Sequence, residues 1–160
     1  MKKQISFKLN GRAVQIEVEP FEVLLEVLRN RLGVKSPKFG CGQGDCGTCT
    51  VILDGRTVRS CLVLAIEVDG QDIVTLEGVM AKGEITPLQK SFLEHNSFQC
   101  GFCAPGMVLS ATELLAKNPK PSETEIKKAL SGNLCRCTGY KHIVDAVRMT
   151  ARKMAEDHRE

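Results

Sequence analysis

Apolar residues at Ile5, Phe7 and Leu9 alternate with polar ones, and Val14, Ile16 and Val18 alternate again after Asn10-Gly11. Period-two alternation turns one face of an extended segment toward a core. Asn-Gly tolerates the positive φ of a type I′ turn, so the pattern predicts a hairpin. The spacing then changes. Phe21, Leu24, Leu25 and Leu28 recur at helical intervals, and Gly33 is placed to end that helix. A Gly- and Cys-rich loop runs from Gly40 to Gly47. Val51 to Leu53 resumes a strand that Asp54-Gly55 turns, and Asp69-Gly70 marks another turn before Ile73, Val74 and Leu76.

Composition shifts between Gly78 and Gly83, and the rest of the chain reads helical. Thr86-Pro87-Leu88-Gln89 combines an N-cap hydroxyl, a proline suited to the first turn and a Gln placed to reach back. Pro105 opens a second helix carrying Val108, Ala111 and Leu115, which Pro119 and Pro121 close. Ser122-Glu123-Thr124-Glu125 forms another capping box, on a helix that Gly132 can end. Val144, Val147, Ala151 and Met154 mark a last helix. The expected class is α+β. Residues 1–78 are expected to form an N-terminal β-grasp, ferredoxin-like domain, and residues 84–160 a C-terminal four-helix bundle-like domain.

The chain has 160 residues, 42% of them hydrophobic, enough to bury a core in one ordinary domain or two small ones. Its formal charge is +3, with acids and bases mixed along the chain. No basic run is longer than a pair, Lys2-Lys3 and Lys127-Lys128 among them, and there is one Tyr and no Trp. Nothing here asks for nucleic acid as a partner. No apolar region follows the two N-terminal lysines and no stretch approaches the ~20 apolar residues that span a bilayer. A cytoplasmic protein without direct membrane contact is expected.

Eight cysteines change the picture, because disulfides are disfavoured in that compartment and clustered thiols point to metal or redox chemistry. Cys41, Cys46, Cys49 and Cys61 give Cys-x4-Cys-x2-Cys and a fourth cysteine after a strand and turn, the plant-type [2Fe–2S] spacing. Four thiolates must converge on a small inorganic core. Gly42, Gly44 and Gly47 permit the loop to curl around it and let backbone N–H groups point at the sulfurs. Zinc or buried free thiols are the alternatives, but zinc sites usually pair two Cys-x2-Cys units.

Cys100 and Cys103 form Cys-x2-Cys, and Cys135 and Cys137 form Cys-x-Cys. Two short pairs suit zinc as well as iron. One helix opens at Pro105 and another at Tyr140 or Lys141, so two positive helix ends are expected near this second set, which favours an anionic thiolate cluster.

Three runs carry a family resemblance. Gly40-Cys41-Gly42-Gln43-Gly44-Asp45-Cys46-Gly47-Thr48-Cys49-Thr50-Val51, Gln99-Cys100-Gly101-Phe102-Cys103-Ala104-Pro105-Gly106-Met107 and Gly132-Asn133-Leu134-Cys135-Arg136-Cys137-Thr138-Gly139-Tyr140 resemble, in order, motifs of the molybdenum hydroxylases, the xanthine dehydrogenase family. The resemblance covers nearly the whole chain. It implies a small electron-transfer subunit with two [2Fe–2S] clusters, not catalytic alone. Its partners would be a large molybdenum–pterin subunit and a medium FAD subunit. Electrons would pass from the pterin site to the Cys100/Cys103/Cys135/Cys137 cluster, then to the Cys41/Cys46/Cys49/Cys61 cluster and on to FAD. Gln99 and Cys137 match positions that approach the pterin. Two positions depart from the pattern. Ala104 stands where relatives often have Ser or Thr, whose hydroxyl would cap the helix at Pro105. Thr48 stands where Ala is common, adding a hydrogen bond near the first set. The implied substrate is an N-heteroaromatic such as nicotinate or a purine. Carbon monoxide, aldehydes and aromatic acyl-CoA compounds are the alternatives, as is a free-standing ferredoxin.

His95, His142 and His158 lack a second His or carboxylate at metal spacing and are expected in surface or capping roles. Glu123 and Glu125 fit a helix N-terminus better than acid–base work. Met80, Met107, Met149 and Met154 read as packing residues. Arg136, between two cysteines, suits either charge balance or a partner contact.

Overall fold

The computed structural model describes residues 1–80 and 83–157. His158, and Ala81 and Lys82 within the expected joint between domains, lie outside the described residues. The protein is a mixed α+β structure with a five-stranded sheet and several helices.

Strands β1 (Lys3–Leu9) and β2 (Arg12–Val18) form the expected antiparallel hairpin. Asn10 and Gly11 both take positive φ, at 53° and 78°, as a type I′ turn needs. Ile5, Phe7 and Val18 turn inward and are buried. Helix α1 (Leu24–Glu26) continues into a π-helical segment, Val27–Arg31. Leu24, Val27 and Leu28 pack into the core of the sheet and Leu25 is buried as well, at about 1.5–3 kcal/mol for each large side chain. Gly33, at φ 72°, reverses the chain so that the Val34 N–H reaches the Leu28 carbonyl at 2.9 Å. Phe21 departs from the expectation. The helix starts only at Leu24, and Phe21 sits in the turn before it, 76% exposed.

Strands β3 (Thr50–Leu53) and β4 (Arg56–Arg59) pair across Asp54-Gly55, and β5 (Asp72–Val74) completes the sheet in the order β2-β1-β5-β3-β4. β5 runs parallel to β1 and antiparallel to β3. Leu76 is not on that strand but opens a short helix, α2 (Leu76–Val79).

Both expected capping boxes form. In α3 (Pro87–Glu94) the Thr86 hydroxyl accepts from the Gln89 N–H, and the Gln89 side chain accepts from the Thr86 N–H. In α5 (Glu123–Leu130) Ser122 and Glu125 do the same. Helices α4 (Ala104–Lys117) and α6 (Lys141–Asp157) complete the second half. Met107, Ala111, Ile126, Leu130, Ile143 and Val147 fill its core, separate from that of the sheet. α4 also packs against β3 and β4, which brings the loops of the two halves together. Among the described residues no helix is long and apolar enough to cross a membrane.

Candidate metal centres

The loop between the π-helical segment and β3 carries Cys41, Cys46 and Cys49. Gly42, Gly44 and Gly47 take φ of 70°, 90° and 71°, conformations that L side chains resist, and the chain curls back on itself. The curl aims backbone donors at sulfur. The N–H groups of Cys46 and Gln43 lie 3.4 and 3.5 Å from Cys41 Sγ. These two donors hold the Cys41 thiol at about 6, despite a small opposing effect of burial. Cys61 arrives from the end of β4, where the Ser60 hydroxyl donates to the Cys49 carbonyl at 2.7 Å. The Sγ atoms of Cys49 and Cys61 are 3.3 Å apart. Burial, then Cys49, push Cys61 up to about 11, while the Gly44 N–H opposes them. Thr48 makes the expected extra contact, its Oγ1 3.3 Å from Cys46 Sγ and donating to the Lys38 carbonyl at 3.1 Å.

The second set joins two connections, one between α3 and α4 and one between α5 and α6. Cys100 and Cys137 are exposed with Sγ atoms 3.6 Å apart. Cys103 is buried beside Cys135. Burial, then its hydrogen bond with Cys135, push the Cys103 thiol up to about 12. For Cys135, burial is outweighed by the Thr138 hydroxyl at 3.2 Å and the Cys137 N–H, so its thiol is lowered. Tyr140 fixes the turn. Its hydroxyl accepts from the Cys135 N–H at 2.9 Å and donates to the Asn133 carbonyl at 3.2 Å. Gln99 Nε2 donates to the Cys137 carbonyl at 3.0 Å, so these two pterin candidates stand together. Cys103 itself is the N-cap of α4, and α6 begins four residues beyond Cys137. The expectation for Ala104 needs correcting here. Residue 104 is the first helical residue, not the cap, so a hydroxyl there would not occupy the capping position.

Of the remaining candidates only Arg136 sits beside the thiols, between Cys135 and Cys137. His95 Nδ1 sits 2.8 Å from the Ser91 carbonyl at the end of α3, Glu123 and Glu125 sit in the first turn of α5, and Arg136 is exposed.

Thiols fall into pairs: Cys41 with Cys46, Cys49 with Cys61, Cys100 with Cys137, and Cys103 with Cys135. Two sulfurs on one tetrahedral metal at ~2.3 Å stand about 3.7 Å apart, close to the 3.3 and 3.6 Å separations. Among the described residues no three Cys, His, Asp or Glu side chains surround a single ion position. Two pairs per set is the donor arrangement of a two-iron cluster, and a mononuclear zinc site fits less well.

Sequence reasoning missed the contacts that join the sets. Asn133, 1% exposed, donates through Nδ2 to the Gly47 carbonyl at 3.1 Å and to Thr50 Oγ1 at 3.2 Å, and accepts from Ser110 at 2.8 Å. Arg59 donates to the Gly132 carbonyl at 2.7 Å, and the Leu134 N–H to the Cys46 carbonyl at 2.9 Å. The one available signal was a polar Asn inside a cysteine motif. Lys38, before the first loop, carried none.

Two family models match the chain, a 2Fe-2S iron-sulfur cluster binding domain over residues 7–76 and a [2Fe-2S] binding domain over residues 75–148. The chain is 50% identical over 151 residues to the nicotinate dehydrogenase small FeS subunit of Eubacterium barkeri, covering 94% of this chain and 96% of that one. It is 44% identical over 145 residues to the xanthine dehydrogenase iron-sulfur-binding subunit of Escherichia coli O157:H7, covering 89% and 91%. The chain belongs to the small iron–sulfur subunits of the molybdenum hydroxylase family. Quinoline 2-oxidoreductase from Pseudomonas putida 86 contains a chain of the same fold, with a TM-score of 0.92, 43% identity and coverage of 98% of this chain and 97% of that one. The family thus accounts for two [2Fe–2S]-binding halves, in the order in which the two cysteine sets occur.

Proposed function

We propose that this chain is the electron-transfer iron–sulfur subunit of a multi-subunit molybdenum-containing hydroxylase, linking a molybdenum–pterin subunit to an FAD subunit. The observation that carries this reading is the pairing of the thiols, two pairs in each of two sets. Cys41, Cys46, Cys49 and Cys61 would hold one [2Fe–2S] cluster, and Cys100, Cys103, Cys135 and Cys137 the other. When bound, each cluster supplies one-electron redox chemistry. The chain's own residues hold the thiolates, aim N–H and hydroxyl donors at them, and shield Cys49 and Cys103 from water.

The domains in this reading are a β-grasp unit over residues 1–78 and a four-helix bundle-like unit over residues 84–160. The exposed Cys137, with Gln99 against its carbonyl, supports placing that end of the molecule toward the pterin, and the first set toward the flavin. Catalysis belongs to the partners. Nicotinate dehydrogenase, nicotine 6-hydroxylase and caffeine dehydrogenase subunits among the relatives support an N-heteroaromatic substrate, and a cytoplasmic site of action follows the same reading.

Native purification with metal and flavin analysis tests it. About four iron per chain, with about one molybdenum and one FAD, is the expected content. Iron on a stable, partnerless monomer would favour a free-standing ferredoxin, and zinc in a colourless protein would refute both.

A further inference from the structure

Lys38 stands three residues before Cys41, in the segment that leads into the first set, yet its side chain crosses to the second. Nζ donates to the Phe102 carbonyl at 3.3 Å and to the Ser36 carbonyl at 3.4 Å, and lies 5.4 Å from the centre of the Phe102 ring. Two carbonyls and a π-face are all acceptors of positive charge, surroundings that suit an ammonium. Its backbone is fixed as firmly, with its N–H on the Thr48 carbonyl at 2.9 Å and its carbonyl taking the Thr48 hydroxyl at 3.1 Å.

Phe102 lies between Cys100 and Cys103, and its N–H is the leading donor to the Cys100 sulfur. Lys38 therefore grips the turn that presents two thiols of the second set. Burial and the Arg29 guanidinium lower the affinity of Lys38 for its proton, and Cys103, Glu77 and Cys100 work the other way. A cation this near the thiols costs desolvation and Arg29 repulsion, and it is retained by one contact within its own segment, the Ser36 carbonyl, and two with the second set, the carbonyl and ring of Phe102.

We propose that Lys38 is a positioning residue of the electron relay: carried by the first loop, it sets a fixed positive charge against the Cys100–Cys103 turn and raises the reduction potential of the cluster bound there. The inference rests on the reading that the second set holds a [2Fe–2S] cluster. Reduction adds one negative charge to that site, so a neighbouring cation stabilises the reduced form more than the oxidised one. The effect is expected chiefly at the second cluster, because the side chain of Lys38 faces it while only its backbone touches the first loop.

The test is a redox titration of the native complex followed by electron paramagnetic resonance, in wild type, Lys38→Met and Lys38→Arg, with iron content measured in each. The Met variant is expected to lose about tenfold in the equilibrium constant for reducing the second cluster, ~59 mV for one electron. The first cluster should move by less than half of that, and Lys38→Arg should stay near wild type. An unchanged second potential in Lys38→Met, equal movement of both clusters, or an equal drop in Lys38→Arg would overturn the inference. If Lys38→Met loses iron, Lys38→Gln, which keeps a donor for the carbonyls, carries the same expectation. Iron loss in both neutral variants with Lys38→Arg fully loaded would make Lys38 a structural residue and also overturn it. Wild type lacking two iron–sulfur signals would instead refute the cluster reading itself.

Discussion

The two cysteine sets solve one problem by different means. The first is built almost entirely from backbone, because three of its cysteines sit on one curled loop whose N–H groups reach Cys41 and Cys61. The second is built by tertiary packing and side chains, with Thr138, Tyr140 and Gln99 holding two loops that four helices bring together. Their exposure differs too. The second set buries Cys103 and leaves Cys100 and Cys137 open, so it has a sealed side and an accessible one. A backbone-built site tolerates change in side chains and fails when the chain cannot curl. A packing-built site should fail piecemeal.

Gly47 is where this contrast breaks first. It takes φ 71°, and an added Cβ would stand 2.3 Å from the Gly132 carbonyl oxygen and 2.7 Å from Asn133 Nδ2. The backbone cost alone is about 1–2 kcal/mol, and a carbonyl cannot swing aside as a side-chain end can. Gly47→Val is expected to lose both iron sites together, with iron falling toward zero and the thermal midpoint dropping by more than ~4 °C. Retention of either cluster would show that the loops are less tightly interlocked than their contacts indicate.

Cys137→Ser tests the piecemeal failure. Its thiol is exposed and pairs with Cys100, away from the buried core. Iron is expected to fall from about four to about two per chain, with the first cluster's spectrum kept and flavin reduction by substrate blocked. Iron analysis and electron paramagnetic resonance read the first two outcomes. Unimpaired flavin reduction would sink the proposed order of carriers.

What could be read beforehand follows the same division. The Asn10-Gly11 turn, the Thr86 and Ser122 capping boxes and the short cysteine spacings inside each loop depend on residues a few positions apart, and sequence displays them directly. Phe21 misled because helical spacing says nothing of where a helix begins, and this one starts after the turn at Pro20. The π-helical segment at Val27–Arg31 has no distinct hydrophobic period to announce it. Lys38, Arg59 and Asn133 act across 64, 73 and 86 positions, distances over which pattern carries no information. The way the halves interlock was accordingly the least legible part of the site.

Asn133 measures that interlock. Asn133→Ala would leave the Ser110 hydroxyl without its buried acceptor and remove one of the three donors to the Gly47 carbonyl, which keeps the Thr50 N–H and hydroxyl. The expected loss is ~2 kcal/mol, or about 4–8 °C in the thermal midpoint. Both clusters should remain, and the magnetic interaction between them when reduced should weaken. A large stability loss with that interaction unchanged would confine Asn133 to packing.

The smallest effect is expected at Glu77, which ties Thr75 to the approach to the first set. Its carboxylate accepts from the N–H groups of Lys35 and Ser36 at 3.0 and 2.9 Å and from the hydroxyls of Ser36 and Thr75. Burial opposes ionisation, but the Ser36 and Thr75 hydroxyls and the Ser36 N–H outweigh it and hold the carboxyl at about 2. A carboxylate pKa depressed on folding adds stability above its unfolded value of ~4.3, lost as pH falls through about 2. Full conversion would give ~3 kcal/mol, which solvent screening of this largely exposed group reduces to ~1 kcal/mol. Glu77→Gln should therefore lower the thermal midpoint by about 2–4 °C at pH 7. The gap should hold steady down to pH ~5 and narrow below pH ~4, as the unfolded chain's carboxyl takes up its proton while the folded one stays ionised to about 2. Thermal melts of both proteins across that range would check it. A gap that stays constant into acid would mean that the carboxylate's charge contributes nothing and that the Gln amide has simply lost hydrogen-bond geometry. The first set should lose iron faster to a chelator in this variant and the second set should not, because Lys35 and Ser36 lead only into the first loop.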